Sequence, residues 1–408
     1  MGFNTSLSGL RASNADLNVT SNNIANTGTT GFKESRAEFA DIFMGGTYGV
    51  ANNAVGSGAR TADVAQQFKQ GNIDNTGNTL DVAISGNGFF NVSNNGNALY
   101  TRSGNFQMDA DGNVVTPDGY NLQVFAPNED GATVSTASMT NLKLSTTDSS
   151  PNPTSSVSAN VTLPANASAP AVATFDPANA NSYNYSTSVT VYDSLGVSHV
   201  MTMYYVKTAN ANEWQQYTAI DGTSVSATPT TLTYSDSGKL LSPANGTISL
   251  DGYTPASGAG SLSISMQVGD SSQYGEAFAV NDLSQDGYAA GSLSKFEIAA
   301  DGMVYASYNN GNKKLLGQIA LTNFNNKQGL QPQGNNCWAA TTSAGTPRTG
   351  APGSSDFGST QSGALEASTV DLTEQLVNMI VAQRNFQANA KMITTQDEIT
   401  QTVINISR

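Results

Sequence analysis

Asp109-Ala110-Asp111-Gly112-Asn113 sets oxygen-bearing side chains at alternate positions, as the start of a calcium-binding loop would. An EF-hand loop needs Asx residues at positions 1, 3 and 5, glycine at 6 and a distal glutamate. Here Gly112 falls at the fourth position, so the segment reads as a hairpin turn. His199 is the sole histidine; any Ser-His-Asp arrangement must use it, and a multi-histidine metal site is excluded. Its setting, Val197-Ser198-His199-Val200-Met201, reads as the start of a strand with the imidazole at the surface or half-buried. Cys337 is the sole cysteine, which excludes a disulfide framework within the chain. Followed by Trp338, it reads as a small buried or half-buried residue. The Gly-x-Gly patterns at 56–58, 86–88 and 258–260 lack the strand–helix setting that phosphate binding needs, and read as turns. No pair of carboxylates stands out for glycoside chemistry. The sequence thus offers no catalytic, cofactor-binding or metal-ligating set, and no enzyme is expected.

Composition points the same way. Charged residues are 12% of the 408, about half the usual ~25%. Seventeen Lys and Arg stand against 31 Asp and Glu, a formal charge of −14. That balance opposes nucleic acid, whose phosphates need a basic patch, and opposes an anionic membrane surface. Met1-Gly2-Phe3-Asn4 opens without the basic and apolar regions of a cleavable signal. No apolar run reaches the roughly 18 residues of a membrane span.

The chain ends differ from its middle. Positions 3, 7, 10, 14, 17, 21 and 24 keep strict 4-3 spacing, with Phe3, Leu7, Leu10, Leu17 and Ile24 apolar and Asn14 and Ser21 interrupting. This predicts a heptad-like helix, capped by Thr5 or Ser6 and ended by Asn26-Thr27-Gly28. At the other end Asp371 caps a helix to Ile406, with Leu372, Leu376, Met379, Phe386, Ala390 and Ile393 at 3-4 spacing. Ile380, Ile399, Val403 and Ile404 widen that stripe. Between the ends, period-two runs such as Leu80-Asp81-Val82-Ala83-Ile84-Ser85, and Asp-Gly turns at 111–112, 118–119 and 301–302, predict β structure. Each terminal stripe is too narrow to offset the ordering of its own helix, so each needs a partner surface. That surface is either neighbouring copies, in contacts that do not close and so build a helical filament, or the chain's own domain.

Specific residues favour the first reading. Asn22-Asn23-Ile24-Ala25-Asn26-Thr27 with Thr30-Gly31-Phe32-Lys33 resembles the N-terminal signature of the bacterial flagellar rod and hook protein family. Leu80-Asp81-Val82-Ala83-Ile84 with Gly86-Asn87-Gly88-Phe89-Phe90, and Tyr100-Thr101-Arg102-Ser103-Gly104-Asn105-Phe106, resemble its next two motifs. Gly363-Ala364-Leu365-Glu366-Ala367-Ser368, Glu374 to Ile380 and Ala382-Gln383-Arg384-Asn385-Phe386 are similar to its C-terminal helix region. The long segment from about Ser145 to Val280 fits the hook members; the alternative is a distal rod member with an unusual insert. Thr369 stands where hook members commonly carry Asn, with an expected effect on the helix cap.

The resemblance implies a mainly β fold with terminal α-helices in a coiled-coil-like pair, nested so that an outer β domain is inserted in an inner one. The expected parts are a helical polymerisation domain (1–26 and 368–408), a connecting region (27–72 and 350–367), an inner β domain (73–145 and 282–349) and an outer β domain (146–281). It implies a structural subunit of a curved, flexible tube that acts as a universal joint, passes torque from rod to filament and encloses an export channel. The polymerisation interface would be Phe3, Leu7, Leu10, Leu17, Ile24, Leu372, Leu376, Met379, Ile380, Phe386, Ile393 and Val403. Gly45, Gly46, Gly56 and Gly58 are candidate hinges. No cofactor is implied. The implied partners are other copies of the chain, the distal rod, hook cap, hook–filament junction and hook-length control proteins, and the type III export apparatus. The implied location is the extracellular flagellum, reached without a cleaved signal.

Overall fold

Helix α1 runs Gly2–Ala25 and helix α2 runs Leu372–Ile406 in a computed structural model that describes residues 2–43, 56–128, 131–145, 147–225 and 228–406. Neither helix contains proline. α1 starts upstream of Thr5 and Ser6, which lie inside it and do not cap it. It closes at Ala25, where the Asn26 amide donates to the Asn23 carbonyl at 3.0 Å. Asp371 caps α2: its Oδ1 accepts from the Thr373 and Glu374 amides at 2.8 and 3.2 Å. Thr369 therefore stands clear of the cap, contrary to expectation. Its hydroxyl instead accepts from the Glu34 amide at 2.9 Å and ties the two chain ends together.

The chain forms two units. The first takes Met1–Ser145, Phe296–Ala306 and Lys314–Arg408; the second takes Thr146–Lys295 and Ser307–Lys313. The expected outer boundary at 281 is too early. Strand Ala279–Gln285 runs antiparallel along Ser156–Pro164, so its backbone hydrogen bonds hold it in the second unit.

In the first unit, early segments pair repeatedly with late ones. Ile73–Asn75 pairs with Ala364–Glu366, and Val82–Ser85 with Ser359–Ser362. Phe89–Asn94 pairs with Leu321–Asn323, and Asn97–Thr101 with Cys337–Ala339. The core holds Val82, Ile84, Phe90, Leu122, Val124 and Ile319 among others. A second cluster packs Phe89, Tyr100, Phe324 and Trp338 edge to face. An antiparallel ribbon, Ser35–Asp41 with Ala59–Gln66, occupies the region expected only to connect.

In the second unit, Tyr185–Tyr192, Ser198–Lys207, Glu213–Ile220 and Thr230–Tyr234 form one antiparallel sheet. Ser156–Pro164 and Leu262–Gln267 belong to the other, paired in parallel. Inward residues of both sheets, including Met201, Met203, Trp214, Leu250, Ile264 and Met266, make one core.

His199 is buried rather than half-buried at most, because it shares the inward face of its strand with Met201, Met203 and Tyr205. The Asp109 loop is a hairpin turn: Asp109 Oδ1 accepts from the Asp111 and Asn113 amides at 2.9 and 2.7 Å, with Gly112 at φ +84°.

Candidate assembly surface on the terminal helices

α1 and α2 lie antiparallel, with Gly9 against Asn389 at one end and Asn23 against Gln375 at the other. The buried residues of α1 are Ser6, Ser13, Thr20 and Asn23; those of α2 are Gln375 and Ala382. Positions 6, 9, 13, 16, 20 and 23 also keep 3-4 spacing, but one residue before the apolar stripe. One residue is about 100° of helix rotation. The buried positions of both helices are therefore small or polar, and the half-buried apolar stripe of α1 lies about 100° to one side of them.

Of the predicted interface residues, Leu7, Leu10, Leu17, Ile24, Met379, Phe386 and Ile393 are half-buried. Phe3, Leu372, Leu376, Ile380 and Val403 are exposed, Leu376 by 45% and Val403 by 59%. The spacing did not single out Val377, Val381, Met392 or Ile406, which are exposed too. On α2, Leu372, Leu376 and Ile380 follow one i, i+4 row, and Ile399 and Val403 another.

Two polar assemblies hold this pair onto the rest of its unit. In the first, Asn23 Nδ2 donates to Gln375 Oε1 at 3.1 Å and to the Ser35 carbonyl at 2.7 Å, while its Oδ1 accepts from the Ser35 amide at 3.0 Å. Gln375 Nε2 donates to Glu34 Oε1 at 2.8 Å, and Lys69 reaches Glu34 Oε2 at 3.2 Å. In the second, the Glu366 carboxylate is completely buried. Its Oε1 accepts from Lys33 Nζ at 2.7 Å and the Gly71 amide at 2.8 Å; its Oε2 accepts from Arg102 Nη1 at 3.1 Å. Burial pulls the pKa of Lys33 and Arg102 down, and the Glu366 charge opposes that pull for both. Arg102 also lies over the Phe89 ring. The motifs containing Lys33, Arg102 and Glu366 thus converge on one point. Sequence reasoning found the three motifs but missed their meeting, because the residues lie far apart in the chain.

Of the candidate hinges, Gly45 and Gly46 lie outside the described residues. Gly56 is exposed, with nothing closer than 3.8 Å to a Cβ placed on it. Gly58 is no free hinge. It has φ +113°, and a Cβ there would sit 2.0 Å from the Ser8 hydroxyl oxygen of α1. That oxygen accepts from the Ala59 amide at 3.1 Å and so docks the ribbon on the helix.

The chain resembles known proteins along its whole length. Residues 3–33 match the family described as flagella basal body rod protein, and 83–174 that of the flagellar hook protein FlgE/F/G D1 domain. Residues 160–288 match the flagellar basal body protein FlaE D2 domain, and 361–406 the C-terminal region of flagellar basal body rod FlgEFG proteins. It is 41% identical over 414 residues to the flagellar hook protein FlgE of Escherichia coli (strain K12), covering 100% of both chains. It is 33% identical over 426 residues to that of Rhizobium meliloti (strain 1021), covering 99% of this chain and 98% of the relative. Among solved structures, the flagellar hook protein FlgE2 of Helicobacter pylori aligns with a TM-score of 0.56 at 16% identity, covering 72% of this chain and 100% of that one, a likeness of fold.

Proposed function

As a member of the flagellar hook protein family, this chain is a structural subunit of the bacterial flagellar hook, and on that premise we propose that its paired terminal helices are the element through which copies polymerise. The supporting observation is the division of labour on the helices: a polar seam within the chain, and apolar rows on α2 left uncovered. Covering a half-exposed leucine or isoleucine stabilises by about 1 kcal/mol, so several per helix, repeated along a polymer, give a cohesive inner tube. Among the described residues the exposed ion pairs, such as Arg36–Glu38 and Arg348–Asp356, each hold weakly, which lets neighbouring β units exchange wet contacts as the tube bends. In this reading the tube passes torque from the distal rod to the filament and bends as a universal joint. Its ends meet the distal rod, cap and junction proteins, and a length-control protein and the type III apparatus govern its export. The distal rod alternative has less support, since the full-length relatives are hook proteins.

Leu376→Asp with Ile380→Asp tests the polymerisation reading. These cells should secrete a subunit that melts like wild type yet carry basal bodies without hooks by electron microscopy. Hooks of normal number and length would overturn it.

A further inference from the structure

If copies meet through α1 and α2, the load on those helices must reach the β wall of the same chain. The covalent routes are two single segments, 26–34 and 367–371. Both run past the Glu366 carboxylate, which is wholly buried and directly grips three other chain segments. It takes Lys33 of the N-terminal connection and Arg102 of the inner sheet at 2.7 and 3.1 Å. It also takes the Gly71 amide beyond the ribbon at 2.8 Å, and it sits itself at the head of the C-terminal connection. The two cations extend the grip: Lys33 Nζ donates to the Lys69 carbonyl and Arg102 Nη2 to the Gly86 carbonyl, both at 2.7 Å. The backbone is fitted to the same point. The Gly31 amide donates to the Glu366 carbonyl at 2.8 Å, and a Cβ on Gly31 would lie 2.6 Å from the Arg102 carbonyl carbon.

An apolar plug would fill this volume at least as stably, because desolvating three charges is expensive. What the charges add is direction: each bond fixes an angle as well as a distance. We propose that Glu366 is a positioning residue that sets the angle between the helical pair and the inner β sheet, and so carries load from the polymer's inner tube into its wall. The inference rests on the polymerisation reading above.

Two variants test it in polyhooks isolated from cells. Glu366→Asp keeps the charge but withdraws the carboxylate by one methylene, so it cannot reach Lys33 and Arg102 together. Lys33→Met with Arg102→Met and Glu366→Leu replaces the cluster by apolar volume, keeping packing without direction. Both should assemble, with a superhelical pitch differing from wild type and a bending stiffness at least twofold lower. Wild-type pitch and stiffness in Glu366→Asp would overturn the proposal, as would wild-type values in the apolar variant. If the apolar variant does not fold, Glu366→Asp decides alone. Failure of the polymerisation reading looks different: there the helix-face variants above would build normal hooks.

Discussion

Gly9 of α1 stands so close to Asn389 of α2 that a Cβ on Gly9 would lie 2.6 Å from the Asn389 Oδ1. The obstructing atoms belong to the end of a side chain, so alanine is accommodated once Asn389 swings aside, and helix propensity improves by up to about 1 kcal/mol. A larger residue has no such exit and must spread the helices. Gly9→Ala should leave hook number unchanged, whereas Gly9→Leu should cut it severely. Asn389→Ala should partly restore hooks to Gly9→Leu. Counting hooks per cell by electron microscopy checks all three.

The relay through Asn23 predicts a stability effect rather than an assembly effect. Asn23 is 1% exposed and satisfies both backbone groups of Ser35 as well as Gln375. Asn23→Ala leaves the buried Gln375 and the half-buried Ser35 backbone with those bonds unmade, a cost of about 1–3 kcal/mol. Asn23→Asp keeps the acceptor for the Ser35 amide but loses both donations, and should fall as far or further. Thermal melting of the secreted subunit, followed at 222 nm, should show Asn23→Ala well below wild type (wavelength roughly at the helical minimum, where α1 and α2 dominate). An unchanged transition would remove the relay from the forces holding the helices in place.

Much of this architecture is legible in the residues, and the misses have physical causes. The 4-3 spacing of Phe3, Leu7, Leu10, Leu17 and Ile24 marks a helix, since no strand carries that period. It does not say which face meets α2. Ser6, Gly9, Ser13 and Thr20 keep the same period, but small residues carry little apolar signal, so the seam they build is silent in the pattern. The Lys33–Arg102–Glu366 cluster is silent for another reason: no local rule links charges so far apart, and only the pairing of early with late strands brings them together. The burial of His199 is legible in the residues: alternation along His199, Met201, Met203 and Tyr205 puts the imidazole on the inward face, although Val197 and Val200, apolar yet exposed, blur that pattern.

Gly56 and Gly58 look equivalent in sequence but should respond in opposite ways. A Cβ on Gly56 would meet only ordinary van der Waals contacts, 3.8 Å from the Ile42 carbonyl oxygen and 3.9 Å from the Phe43 ring, so Gly56→Ala should leave folding and motility unchanged. Gly58→Ala imposes a side chain on a backbone at φ +113° and drives it into Ser8, at a strain cost of about 1–3 kcal/mol. The local readout is the Ala59 amide, which donates to Ser8 Oγ. Its hydrogen exchange should accelerate at least tenfold in Gly58→Ala and not in Gly56→Ala. Equal exchange in the two variants would mean that the ribbon is not docked on α1 through this contact.

The sole histidine predicts a pH window for the second unit. His199 Nδ1 lies 2.6 Å from Asp221 Oδ2, and Nε2 lies 3.4 Å from Asp193 Oδ2. Asp193 also accepts from the Ser257 hydroxyl, Asp221 from the Tyr253 hydroxyl, and the Tyr253 ring stands edge-on to the imidazole. Burial pulls the imidazole pKa down, but hydrogen bonds to Asp221 and Asp193 outweigh it and hold the value above the usual 6.5. Burial would raise Asp193, yet its bonds from Ser257, the Val197 amide and His199 bring it from 3.8 to about 2. Asp221 is lowered as well, with its bond from His199 the foremost of the contacts that outweigh burial. The raised imidazole stabilises fully below about pH 6.5 and is lost as pH climbs through its folded value. The lowered carboxylates stabilise above about pH 4 and are lost as pH falls through theirs. The unit should therefore be most stable between about pH 4 and about pH 6.5. Proton NMR of the single imidazole should give a midpoint above 6.5 in the folded subunit. Melting followed by Trp214 fluorescence, in a Trp338→Phe background, should decline on the alkaline side of that window. His199→Ala should flatten the alkaline decline while the acid one survives, because Asp193 and Asp221 keep their hydroxyl and amide donors. A midpoint at or below 6.5 would show that the two carboxylates do not stabilise the imidazolium.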